Sequence, residues 1–230
     1  MLIVSKTLVG CSIKAADGDI GSIVDLLFDQ ATWGMRWMVV KTGGWLLGHA
    51  VLIHPSAIMR AEVAGRANGG GSVTVRLTKA EVKGSLDASQ DEPVSQQLEG
   101  HLYASPGCDP LWGGTGYFGM YSGDAARDAL GRRPDQGDPN LRSTSAVIGY
   151  EVFATDGAIG HVEEFLLDDR TWAIDSIVVN LKNWGVGQPV LLSPHTVTGI
   201  GWSDQQVRIN ASRDQVKRSP PWMAGVPLVN

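Results

Sequence analysis

Residues 17–33 read DGDIGSIVDLLFDQATW, and residues 156–172 read DGAIGHVEEFLLDDRTW. The two stretches lie 139 residues apart, and that register extends well beyond them. Residues 8–55 align with 147–194 without a gap, and 17 of the 48 pairs are identical, among them Gly10/Gly149, Gly21/Gly160, Asp29/Asp168 and Trp33/Trp172. Unrelated stretches would agree at roughly one position in fifteen, so this is an internal repeat. After Pro55 and Pro194 the register slips by five residues, which the glycine run at 68–71 accommodates as a longer loop in the first copy. It then resumes, VTVRLTKAEVK (73–83) against VRINASRDQVK (207–217). Each copy closes with a capping-box pattern, Thr78-x-x-Glu81 and Ser212-x-x-Gln215, which predicts a short helix after the last strand.

Within each copy the pattern is one short strand after another. Asp17-Gly18 and Asp156-Gly157 suit a tight hairpin, because glycine takes positive φ without a steric penalty. A strand over Ile20–Phe28 then meets a turn at Asp29–Thr32. WMVVK (37–41) or SIVVN (176–180) follows, then AVLI (50–53) or PVLL (190–193) ended by proline, then the final strand. Five or six short strands per copy, with turns every 8–12 residues, predict a small closed barrel, since closure removes sticky sheet edges.

Gly-x(6)-Asp-Gly-x-Ile-Gly, then Asp-x-x-Thr-Trp, Val-Val and Val-Leu-(Ile/Leu)-x-Pro resemble the PRC-barrel family. That family is named for the cytoplasmic barrel of the photosynthetic reaction-centre H subunit. The SRDQVKRSPPW ending (212–222) is similar to the family's usual close. The resemblance covers about two-thirds of the chain, in two copies. It implies an all-β protein of two six-stranded barrels, each an interaction module without known catalytic residues. Tandem bacterial members look similar in joining barrels by an aromatic, glycine-rich linker.

The expected organisation is a first barrel at 1–84, a structured linker at 85–142, a second barrel at 143–222 and a tail at 223–230. The linker pattern predicts short helices at Val94–Glu99 and over 122–131, the latter with Ser122 as N-cap and Gly131 just past its end. Between them lies CDPLWGGTGYFGMY. A free linker would not expose Trp112, Tyr117, Phe118 and Tyr121 to water, so this part is expected to dock on a barrel or on a partner.

Composition narrows the function. A formal charge of −5 argues against nucleic acid as a partner, because phosphate neutralisation needs a clustered Lys/Arg excess. The arginines at 127–142 alternate with Asp128, Asp135 and Asp138, as in a solvated, charge-balanced segment. Cys11 and Cys108 form no C-x-x-C pair, which fits a reducing compartment. No stretch approaches the roughly 20 apolar residues of a membrane span, and the start lacks a signal-peptide pattern; a soluble cytoplasmic protein is the expectation.

Chemistry-bearing motifs are thin. Gly114-x-Gly116-x-x-Gly119 has the dinucleotide spacing but no strand before it and no helix after it, so it reads as a loop. The histidines at 49, 54, 101, 161 and 195 show no metal-ligand spacing, and no cofactor is expected. Asp29 and Asp168 read as turn formers, and Asp25 and Glu164 as rim or ion-pair residues. The expectation is therefore a non-enzymatic adaptor that docks a protein partner, with a membrane-associated complex or a second copy as candidate partners. The alternative is a small-molecule or metabolite binder in a cleft between the barrels.

The copies differ most where Trp37 faces Ser176 and Arg36 faces Asp175. Trp37 and Arg36, with Trp112, Tyr117 and Phe118 of the linker, are the candidate docking residues. In a plain two-residue alternation, Met35 and Val39 would share the face of Trp37.

Overall fold

The computed structural model describes residues 1–43, 50–63, 70–83, 140–181, 188–201 and 204–223. The first copy contains β1 (Leu2–Val4), α1 (Ser5–Leu8), β2 (Ser12–Ala15), β3 (Gly18–Asp29), β4 (Met35–Thr42) and β5 (Ala50–Ile53). A 3-10 turn at Pro55–Ala57 leads to β6 (Ile58–Glu62), β7 (Ser72–Val75) and α2 (Lys79–Lys83). The second repeats the series as β8 (Leu141–Ser143), α3 (Thr144–Val147), β9 (Glu151–Ala154), β10 (Gly157–Asp168), β11 (Ile174–Asn180) and β12 (Val190–Leu192). It ends with a 3-10 turn at Pro194–Thr196, β13 (Val197–Gly201), β14 (Gln206–Ile209) and α4 (Arg213–Lys217).

The protein is all-β, with two seven-stranded sheets. Their main paths are β5-β4-β3-β2-β7-β6 and β12-β11-β10-β9-β14-β13, the same order twice. Pairing is antiparallel except for β2 on β7 and β9 on β14.

The repeated motif residues have local causes. Gly18 and Gly157 sit at φ 128° and 126°, closed to ordinary side chains. A Cβ on Gly21 or Gly160 would collide with the carbonyl oxygen of Lys41 or Asn180 on the next strand. Asp17 and Asp156 do more than form hairpins: their Oδ1 atoms accept the first helical amides, Lys79 N at 2.8 Å and Arg213 N at 2.9 Å. Both capping boxes form, Thr78 N donating to Glu81 Oε2 at 2.7 Å and Ser212 N to Gln215 Oε1 at 2.7 Å. Asp156→Ala should therefore cost about 1 kcal/mol in urea unfolding; an unchanged midpoint would mean the cap adds nothing to the box.

Asp29 Oδ1 accepts from Ala31 N and Thr32 N at 2.8 and 3.0 Å, and Asp168 Oδ1 from Arg170 N and Thr171 N at 2.9 and 2.8 Å. These bonds bend the chain into the left-handed conformation of Trp33 (φ 61°) and Trp172 (φ 56°). The two matched tryptophans differ in environment, Trp33 being buried and Trp172 half-buried. Trp33 stacks on Phe28 at 5.4 Å, and the position matching Phe28 in the second copy is Leu167.

What the repeat did not announce is an exchange of strands. β3 has 12 residues and β2 only 4, so β2 pairs along Gly18–Ser22 and leaves the rest of that edge open. The other copy closes it: Leu141, Arg142 and Ser143 of β8 pair with Asp29, Phe28 and Leu27. Reciprocally, Leu2, Ile3 and Val4 of β1 pair with Asp168, Leu167 and Leu166 of β10. Every position in one set is the other's plus 139, so the halves are related by a pseudo-twofold. Strand β8 thus starts two residues before the expected boundary at 143.

The same symmetry joins the turns, where Met35 N donates to Trp172 O at 2.9 Å and Ile174 N to Trp33 O at 2.7 Å. Phe28 meets Phe165 at 5.4 Å, and buried residues of both halves form one continuous apolar core.

Candidate functional site

Strand pairing places Trp37 differently from simple alternation. Leu27 pairs with Trp37 and Phe28 with Met35, so Arg36 is an extra, bulged residue. The bulge turns Met35 into the main core and leaves Trp37 and Val39 on the outer face, which corrects the expected grouping of Met35 with Trp37. The same bulge occurs at Asp175.

On that outer face Trp37 packs with Leu27, Val39, Leu52 and Leu141, a cluster separate from the core. Leu141 comes from the exchanged strand, so the second half helps to build the face. Trp37 is 2% exposed, and its buried indole N–H has no hydrogen-bond partner among the described residues. The His54 ring stands edge-on to it at 5.4 Å. Burial, reinforced by the nearby Arg36 charge, lowers the His54 pKa to about 4, and its Nδ1 accepts from Ser56 N at 3.1 Å. Arg36 Nη1 lies 3.0 Å from Asp29 Oδ2, tying the bulge to the turn.

The second half keeps Leu166, Val178, Leu191 and Leu2 at the positions of Leu27, Val39, Leu52 and Leu141, and differs at those of Trp37, Arg36 and His54. Ser176 is half-exposed and its hydroxyl donates to Asp175 Oδ2 at 2.7 Å; Asp175 itself is exposed. Of the candidate docking residues, the structure brings Trp37 and Arg36 onto neighbouring positions of β4. Trp112, Tyr117 and Phe118 lie outside the described residues, as do the expected linker helices and the Gly114–Gly119 loop.

A second polar arrangement stands at the exchange. Glu164 of β10 accepts from the Ser5 hydroxyl, from Lys6 N at 3.3 Å and from Phe165 N at 2.9 Å, with Lys6 Nζ at 3.8 Å. Its equivalent, Asp25 of β3, accepts from the hydroxyls of Ser143 and Thr144, the latter at 3.3 Å, and from Ser145 N at 3.3 Å. Each carboxylate thus holds the first turn of the other half's short helix. The sequence alone points to rim or ion-pair roles for both residues. Their partners sit at the far end of the repeat unit, and residues 1–7 match 140–146 at Leu2/Leu141 alone, too little to reveal a joint.

Glu164 is 2% exposed, and burial raises its pKa despite the opposing bonds from Ser5, Phe165 and Lys6. The folded carboxyl holds its proton more tightly than the unfolded one. Its contribution is fully present below the ordinary carboxylate pKa and is lost as pH rises through the elevated folded value. Glu164→Gln keeps an acceptor and removes the titration, so it should gain stability relative to the parent as pH rises through that window. Asp168 and Glu81, held low by amides of Thr171 and Thr78, act in the opposite sense but are common to both proteins. Urea unfolding across a pH series measures the difference; a flat line would mean Glu164 ionises equally freely in both states.

Among the described residues, no helix is long and apolar enough to cross a membrane, and no three His, Cys, Asp or Glu side chains group as metal ligands. No family model matches this chain, and no curated protein matches it. The fold and site define an all-β protein of two like halves that exchange strands and differ on their outer faces.

Proposed function

We propose that the chain is a non-enzymatic adaptor built of two PRC-type barrels, with different partners for its two outer faces. The observation that carries this reading is the asymmetry within one topology: Trp37 and Arg36 on one half, Ser176 and Asp175 at the same register on the other. The same strand order accommodates both versions, so the topology by itself selects neither. Barrel closure is supported by the three-residue turns that link the outermost strands, β5 to β6 and β12 to β13. The exchange fixes the two faces relative to each other, as an adaptor for a cytoplasmic or membrane-associated protein complex requires.

Arg36→Asp gives the first face the charge of the second and touches a partly exposed ion pair, so stability should change by about 1 kcal/mol or less. Quantitative capture from the source cells should lose a protein retained by the parent and by Asp175→Arg. Equal capture by all three would overturn the reading. The reading also expects the melting temperature to be indifferent to chelator, NAD or ATP. A shift of several degrees with any of them would indicate ligand binding to the native state and favour a binder over an adaptor.

A further inference from the structure

We infer that the exchanged strand–helix segments form a self-complementary docking surface whose fitting partner is a second copy of this chain. Each half donates a strand and a four-residue helix, residues 2–8 or 141–147, and receives the other's on the open edge of its long strand. The recognition chemistry is the same in both directions: three backbone pairs, a hydroxyl at the first helical position (Ser5 or Thr144) and a carboxylate receiving it. Nothing in this joint requires donor and acceptor to belong to one chain. Half one of one molecule can close on half two of another, and the remaining halves close in the same way. The result is a dimer of two complete units in which every joint is preserved, the low-cost route by which exchanged elements generate dimers.

Closure between chains grows with protein concentration while closure within a chain does not, so refolding at high concentration favours the exchanged dimer.

The test uses the full chain with Cys108→Ser. One preparation carries Val4→Cys and another Leu166→Cys, a pair that faces across β1 and β10. They are unfolded, mixed and refolded at about 10 µM and about 1 mM, diluted, and sized by light scattering and by non-reducing gel. The expected result is a dimer fraction that rises at least tenfold with refolding concentration, carrying the 4–166 disulfide between chains. The single-chain Val4→Cys/Leu166→Cys variant, which should close internally at 10 µM, verifies the geometry; the equivalent Leu27→Cys/Ser143→Cys pair repeats the test at the other joint. Absence of dimer at 1 mM overturns the inference. So does a dimer whose cysteines stay free while the single-chain variant cross-links, because that dimer uses another surface. The adaptor reading stands or falls separately, since neither result alters the Arg36→Asp capture.

Discussion

Trp37→Ser should lower unfolding stability by about 3–5 kcal/mol, the range for removing a buried tryptophan side chain. The ring is 2% exposed and packs on side chains of four strands, β3, β4, β5 and the exchanged β8. Serine would leave a cavity that Leu52 and Leu141 cannot fill without moving their own strands. The loss should come from packing and not from polarity, because the indole N–H has no hydrogen-bond partner among the described residues. Trp37→Phe should accordingly cost less than half as much in the same urea titration, and Ser176→Ala in the other half close to nothing. A fall below about 1 kcal/mol for Trp37→Ser would show that the outer cluster contributes little to folding. The residue would then be conspicuous for docking alone.

Phe28→Ala should be equally severe, about 3–5 kcal/mol, but with a different signature. Phe28 is 1% exposed, stacks on Trp33 and meets Phe165 of the other half, so it lies where the two cores become one. The parent should unfold in a single transition, because each half lacks a strand that only the other supplies. Phe28→Ala should move that transition down without dividing it, since both strand exchanges and both carboxylate joints remain. Calorimetry gives the decisive comparison of calorimetric with van't Hoff enthalpy. Two resolved transitions in the parent would mean the halves fold independently and the shared core is energetically unimportant.

Glu164→Gln and Asp156→Ala probe smaller quantities, a titration at the joint and a helix cap. Together with the two large effects they separate the contributions of core, outer face, joint and helix ends.

Much of this architecture is legible in the residues because it depends on local chemistry. An Asp followed two and three residues later by free amides makes a turn, Gly-x-Ile-Gly permits a crowded strand crossing, and Thr-x-x-Glu closes a helix end. These interactions span a few residues or neighbouring strands, so a repeated sequence repeats them, and the repeat itself implies a repeated topology. The face of Trp37 was not legible. One bulged residue, Arg36, reverses the inside–outside alternation, and a bulge reflects strand pairing more than the composition of the strand that contains it. The joint was hidden for a related reason. Ser5 and Glu164 lie 159 residues apart, and nothing in VSKT or EEFL identifies the other as its partner. The residues alone determined that there are two like β-rich halves with capped helices and matched turns. Only the tertiary structure decided that each half is completed by the other, because an open strand edge and a spare strand are satisfied by whichever partner brings them together in space.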